Sequence, residues 1–570
     1  MNIKAAILVS IISVGVFLDL HAQDIERIGQ KDALKINGGL SVNQIFYTTS
    51  DTIEHRDPYS YYLTGNLNFD LYGWSVPLSY TFSNQKGSFS QPFNQYGLHP
   101  RYKWVTTHIG YGSMTFSPYT LNGHLFLGGG VELTPPGKFR FSAMYGRLLK
   151  ATPVDTTLED YGEATFKRMG MGFKAGMADD FGSFDIIVFR AADELNSIPY
   201  IPDDQELAPQ ENLVLGISGG LNIIPKTTIK FDIAQSAITE DTRLATSDVN
   251  NLYSSLGSIY TPRISSAYYM AMKGNITYNA DIFNVGVGYE RIAPGYRTLG
   301  AYYFNNDLEN ITVNFATQLF KNKVSFATNA GLQHDNLDDK KLSKMQRLVT
   351  SVNVGFTPNE RLNFNLGYSN FYSYTHIKPM FDQINQLTPY DNLDTLNFTQ
   401  LSESANLNVS YLLSKSETRT QQLNVNLSYQ VASDQQGQQT ELSPNSRFYN
   451  VNTGYSMSIT PLQLSIVAAV NASYNDADEF SSSTIGPTLG ANKSFFERKL
   501  RATLSASYNT AYSNGDKQNR AMVVRTGGTY SLKKKHNFNL NLVTSNRKRL
   551  INNSYAVTDF TATLGYSFNF

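Results

Sequence analysis

The sequence predicts an all-β chain: a single transmembrane antiparallel β-barrel of about 24–26 strands, preceded by a signal peptide. Three observations carry that prediction. The N-terminus has the build of an export signal, apolar and polar residues alternate almost to the C-terminus, and the last strand ends on an aromatic residue.

Lys4 precedes an apolar run from Ala5 to Leu18, closed by Asp19, and Leu20-His21-Ala22 offers a cleavage site before Gln23. A spanning helix needs about 20 consecutive apolar residues, so this shorter run reads as a signal peptide over residues 1–22. A short periplasmic segment over residues 23–32 follows, and the barrel is expected over 33–570.

Leu362, Phe364, Leu366 and Tyr368 alternate with Asn363, Asn365, Gly367 and Ser369. Leu423, Val425, Leu427, Tyr429 and Val431 alternate with Asn424, Asn426, Ser428 and Gln430. The same design recurs at Ala405–Tyr411, at Phe283–Tyr289 across two glycines, and at Phe538–Leu542. In a strand these sets fall on opposite faces, one apolar and one built of Asn, Ser, Thr, Gln and Gly.

The connections separate a barrel from a soluble sandwich. Short turn signals recur near Gly73, Pro135-Pro136-Gly137, Gly182, Pro225, Asp281, Asn322, Pro358-Asn359, Ser414-Lys415, Pro461, Glu497 and Lys534. Longer polar stretches lie between them, such as Asp193 to Asn212, Glu240 to Ser266 and His376 to Asp394. Bacterial outer-membrane barrels alternate short periplasmic turns with long external loops in this way. Tyr102 to Leu121 breaks the rhythm, and reads either as an extra hairpin or as a loop folded into the lumen and constricting it.

Composition agrees. Charged residues make up 16% of the 570 residues and aromatics 13%, with 36 Tyr, 34 Phe and 2 Trp. Mean hydropathy is −0.30, far too polar for a helical membrane protein but suited to a barrel whose alternate residues face lipid. The 47 basic residues balance the 47 acidic ones, so no global field selects nucleic acid. The absence of cysteine excludes disulfides, thiolate metal sites and a cysteine nucleophile.

At the C-terminus, Phe560, Ala562, Leu564, Tyr566, Phe568 and Phe570 share one face, against Thr561, Thr563, Gly565, Ser567 and Asn569 on the other. This resembles the recognition strand that outer-membrane barrels present to their insertion machinery. More of the chain points the same way: the run KWVTTHIGYGSMTFSPYTLNGHLFLGGGVEL from Lys103 to Leu133, Lys138 to Leu148, Asn43 to Tyr47 and Tyr72 to Gln85. With these segments the chain resembles a large plug-less outer-membrane β-barrel protein of Bacteroidota type. The resemblance implies the cell outer membrane and the fold, and it carries over no functional residue.

Chemistry is sparse. The eight histidines are His21, His55, His99, His108, His124, His334, His376 and His536, and none forms a metal-binding pair at helical or strand spacing. His108 and His124 flank Ser113 and Ser117, a pattern that strand glycines and serines explain as well as a Ser–His site does. Gly128-Gly129-Gly130 and Gly219-Gly220 lack the Lys-Ser/Thr of a phosphate loop. Asp193, Glu194, Asp203, Asp204, Glu206 and Glu211 form an acidic stretch without Lys or Arg, read as a solvated loop ahead of a calcium site. Arg547, Lys548 and Arg549 are placed in the last external loop, where they would face lipopolysaccharide phosphates, and Lys533, Lys534 and Lys535 in the opposite turn.

The expectation is therefore no enzyme, no catalytic, metal or cofactor-binding residue, and no cofactor. The functional reading is a porin- or transport-type barrel for passage of solutes or macromolecules. The alternative is a structural subunit of an outer-membrane secretion, adhesion or envelope-assembly complex. Expected partners are membrane lipid and lipopolysaccharide, the barrel-insertion machinery through the C-terminal strand, and periplasmic or surface proteins.

Overall fold

A computed structural model describes residues 34–570 apart from 53–55, 72–73, 85–93, 155–163, 202–206, 223, 248–252, 258, 304, 341–345, 371–400, 433–445, 478–479 and 551–554. The signal peptide, the N-terminal segment, the loop His376 to Asp394, Gly73 and the histidines His21, His55 and His376 lie outside the described residues.

The wall begins with β1 (Leu34–Thr49), β2 (Tyr59–Leu71), β3 (Trp74–Ser83), β4 (Gln95–Leu98), β5 (Arg101–Tyr102) and β6 (Val105–Thr115). It continues through β7 (Asn122–Leu133), β8 (Phe139–Leu149), β9 (Lys167–Asp179), β10 (Gly182–Glu194), β11 (Glu211–Leu221) and β12 (Thr227–Thr239). Next come β13 (Ser266–Asn279), β14 (Phe283–Ile292), β15 (Leu308–Leu319), β16 (Val324–His334), β17 (Gln346–Asn359), β18 (Leu362–Ser369) and β19 (Leu401–Lys415). The circuit ends with β20 (Arg419–Ala432), β21 (Ser446–Ile459), β22 (Leu464–Ala477), β23 (Phe480–Phe495), β24 (Leu500–Ser513), β25 (Asp516–Leu532), β26 (His536–Arg549) and β27 (Ala556–Asn569).

Each strand pairs antiparallel with its neighbours, and β27 closes the ring on β1 from Gly39↔Asn569 to Thr49↔Asp559. β4 and β5 together fill one place between β3 and β6, so the 27 segments make a closed barrel of 26 strands. Closure leaves no edge and satisfies the backbone internally, as a lipid environment requires. Among the described residues no helix is long and apolar enough to cross a membrane.

Alternation decides which side of the wall each residue takes. Leu332 is 67% exposed and Leu489 64%, and Ile311, Val287, Leu504 and Leu564 are exposed in the same phase of their strands. A surface of that composition belongs in hydrocarbon rather than water. The protein is an outer-membrane barrel.

Chemistry at the turns explains the short connections. Asn359 Oδ1 accepts hydrogen bonds from the N–H groups of Arg361 (2.9 Å) and Leu362 (3.0 Å), pulling the chain round at 360–361, just beyond the bend expected at Pro358-Asn359. Ser416 Oγ similarly accepts from Arg419 N (3.1 Å), so β19 runs through the turn expected at Ser414-Lys415. Lys533 and Lys534 take φ of 52° and 60° in the turn assigned to them. The long-loop rim departs from the rhythm where β24 and β25 join through Asn514-Gly515, with φ of 48° and 86°, a tight hairpin of Asn-Gly type.

Tyr102 to Leu121 resolves into two parts. Its first part is wall, with β6 leaving a turn at Lys103 (φ 50°) and pairing along β7 from Val105↔Leu133 onward. The remaining six residues, 116–121, fold into the lumen. The reading of the whole segment as a removable constriction is therefore corrected, because β6 is one of the 26 strands. The connection 240–265 takes the opposite course. Its Tyr253 and Tyr260 are buried against Leu213 and Ala237, in the phase that meets lipid lower down, and Tyr253 OH donates to Gln235 O (2.8 Å).

Candidate functional site

The lumen has two unlike sides. Along one, a single register row runs Gly355–Asn365–Asn408–Asn426–Asn452–Asn471–Gly486 across β17 to β23. Asn408 Nδ2 donates to Asn426 Oδ1, and Asn452 Nδ2 to Asn471 Oδ1. Each amide keeps further donors and acceptors, so the row offers uncharged hydrogen-bonding groups to whatever passes.

On the opposite side the equivalent row is ionic. It runs Arg140–Gly176–Asp185–Ser218–Asp232–Lys273–Glu290–Asn310 across β8 to β15. Arg140 donates through Nε (2.6 Å) and Nη2 (2.5 Å) to the two oxygens of Asp185, which is 2% exposed. The bond spans the intervening β9, and Gly176 makes that possible. A Cβ there would lie 2.1 Å from Asp185 Oδ1. Lys174 Nζ lies 3.4 Å from Asp185, and Lys273 lies 3.7 Å from Glu290.

The inward-folded turn rests on this belt. Lys174 Nζ donates to Phe116 O (3.0 Å), and Tyr119 OH donates to Glu290 Oε1 (2.6 Å). Burial, and then the adjoining carboxylate, push the Tyr119 phenol far above its ordinary range, so it stays a donor. Within the turn Ser117 Oγ and Thr120 Oγ1 are 2.8 Å apart, and Tyr119 N donates to Ser117 Oγ (3.3 Å). The connection 293–307 folds against it. Tyr296 OH donates to Tyr119 O (2.6 Å), Thr298 Oγ1 to Thr120 O (2.9 Å), and Asn122 N to Gly300 O (2.9 Å). Phe116, Leu121, Phe126, Leu148, Phe189 and Tyr296 form the apolar core beneath, on the lumenal side of the wall.

A polar cluster sits beside the broken strand. His99 Nδ1 is 3.0 Å from His108 Nδ1, and His108 Nε2 is 2.8 Å from Glu132 Oε1. A cavity of about 360 Å³ adjoins them, lined also by Ser79, Thr81, Gln95 and Gly112.

The structure disperses several residues singled out in the sequence. Ser117 bonds Thr120 rather than a histidine, and His124 is within 2.8 Å of Leu125 O and stacks on Tyr302 at 4.1 Å. Gly128 lies against Tyr145 O and Gly146, so a close strand approach accounts for it. The described acids of the acidic stretch are paired with cations. Asp193 takes two bonds from Arg168 (2.7 and 2.9 Å), Glu194 pairs with Lys167 (3.0 Å) and Glu211 with Arg190 (2.6 Å). Its cations come from neighbouring strands, which sequence distance hides; Asp203, Asp204 and Glu206 lie outside the described residues. Arg547, Lys548 and Arg549 end β26 rather than forming a loop, and Arg547 Nη2 bonds Asp559 Oδ2 (2.5 Å) in the lumenal phase.

The ionic belt escaped sequence reading. Its signal is charge in the inward phase of five strands: Arg140, Lys174, Asp185, Asp232 and Glu290 each occupy a slot that Asn, Ser or Gly fills elsewhere.

No family model and no curated protein matches the sequence. Among solved structures, the unliganded ferric citrate transporter FecA is 10% identical, with 94% of this chain and 79% of that one covered and a TM-score of 0.40. The translocation pore of the P pilus usher PapC is 9% identical over 94% of this chain and all of that one (100%), at a TM-score of 0.38. OccAB2 of Acinetobacter baumannii is 7% identical over 69% and 99% of the two chains, at 0.27.

Proposed function

We propose that the chain is a permeation barrel through which polar solutes cross the outer membrane, without enzymatic activity. The asparagine row supports this reading best. Twenty-six strands about 4.8 Å apart and tilted roughly 40° enclose a ring about 50 Å across if round. Among the described residues, the segments 116–121 and 293–307 fold against the β6–β15 side, away from the amides on β18 to β22. An uncharged amide surface binds polar solutes weakly and releases them easily. Every described strand belongs to the wall, which supports a plug-less barrel; the Bacteroidota type, delivery by the signal peptide and insertion through the C-terminal strand are part of the same proposal.

Purified protein in planar bilayers should give steady channels. Asn426→Asp with Asn452→Asp should shift their selectivity towards cations. A wild-type barrel that stays closed would overturn the proposal. It would favour the structural-subunit alternative, for which the bolted turn over Glu290 is the supporting observation.

A further inference from the structure

Outward-facing cations at the long-loop rim come with carboxylates along much of the wall. Arg190 lies 2.6 Å from Glu211, Lys167 3.0 Å from Glu194, Arg291 2.9 Å from Glu309 and Arg447 3.9 Å from Asp476. The β25–β26 ladder is different. Arg520 and Lys548 stand directly opposite each other, in the phase of the exposed Met522, Phe538 and Leu540. Neither has a carboxylate within 4.0 Å among the described residues, and the nearby Asp559 is taken by Arg547 on the lumenal face. Like charges directly across a ladder repel, so an anion has a reason to sit there.

The height of the pair says which anion. Phe538, Tyr566, Phe568 and Phe570 form an aromatic belt at the short-turn end, with ring centroids 5.1 Å apart for Phe538–Tyr566 and 4.8 Å for Phe568–Phe570. Lys548 lies ten residues beyond Phe538, and Arg520 ten residues before Tyr530. At about 3.3 Å per residue and a tilt of roughly 40°, that is about 25 Å along the membrane normal, the height of the apolar band. The pair therefore meets the headgroups of the outer leaflet. Thr510 stands opposite Arg520 on β24, and Ala556 opposite Lys548 on β27. With Thr510 buried, the row presents a guanidinium and an ammonium beside a small methyl. Below it, Tyr508, Met522 and Phe560 are exposed apolar surface on which acyl chains can lie.

We propose that Arg520 and Lys548 bind a phosphate on the sugar head of an outer-leaflet glycolipid. The guanidinium fork suits two phosphate oxygens, and the ammonium supplies a second charge. The site lies outside the lumen and is independent of permeation.

The test uses delipidated full-length barrel in detergent and native mass spectrometry with phosphorylated lipid A as the probe. Dephosphorylated lipid A and inorganic phosphate are the comparison arms. Phosphorylated lipid A should bind; Arg520→Gln or Lys548→Gln should each weaken it about tenfold, and the double variant should abolish it. Arg447→Gln, at the same rim, should bind as the wild type does. Heat-modifiable mobility on gels verifies that each variant is folded. Equal binding of dephosphorylated lipid A, or undiminished binding by the folded double variant, would overturn the site. Displacement of the lipid by equimolar inorganic phosphate would show a free-anion site instead and overturn the lipid assignment.

Discussion

Leu427 and Asn426 are adjacent, yet the pleat sends one to hydrocarbon and the other to the lumen. Leu427 is exposed beside its equally lipid-facing cross-strand partners Leu407 and Val451. Asn426 shares its bond with Asn408. Leu427→Arg should therefore cost about 2–4 kcal/mol if the site lies near the midplane, because the cation must be carried into lipid. Asn426→Arg should fold nearly as the wild type does. Denaturant titration of both variants in lipid vesicles checks this. Equal losses would mean that the two faces are not lipid and lumen.

Strand pairing varies round the ring, and the variation is local. β4 pairs with β3 at four positions and with β6 at two, and β5 adds one position on β3 and two on β6. Pro100, which has no N–H to give, interrupts the strand, and Gly110, opposite Gly97, takes φ of 91°. The amides of Gln95–Leu98 and Arg101–Tyr102 should therefore exchange with deuterium before those of β2 or β7, as mass spectrometry of the reconstituted barrel would show. Uniform protection across β2 to β7 would contradict this. The closing seam is the reverse case. β27 pairs with β1 and β26 along its length, and Phe570 N donates to Gly38 O (2.9 Å). Removing Phe570, or making Phe568 and Phe570 polar, should leave unassembled chain in the periplasm. Heat-modifiable barrel at normal levels in the outer membrane would refute that.

For the molecule as a whole, orientation follows from the two rims. The chain has no cysteine, so single-cysteine variants report position without background. Lys340→Cys, in the long connection after β16, should react with a membrane-impermeant maleimide on intact cells. Asn322→Cys, in the turn between β15 and β16, should react only after the outer membrane is opened. The reverse pattern would invert the barrel.

Period-two alternation, turn residues and the aromatic end made the barrel, its membrane location and nearly all its strands readable in the sequence. Each depends on neighbours along the chain, and a β-strand sorts its faces by parity alone. Closure decided the rest. Arg140 and Asp185 are 45 residues apart yet bond across an intervening strand, and Tyr119 finds Glu290 over a separation of 171. Arg168 neutralises Asp193, and Arg520 meets Lys548 with no acid between them. These pairings depend on register, on the lumenal or lipid side, and on which strands the ring makes adjacent. Local sequence carries none of that, because cross-strand contacts form between residues that the chain keeps far apart.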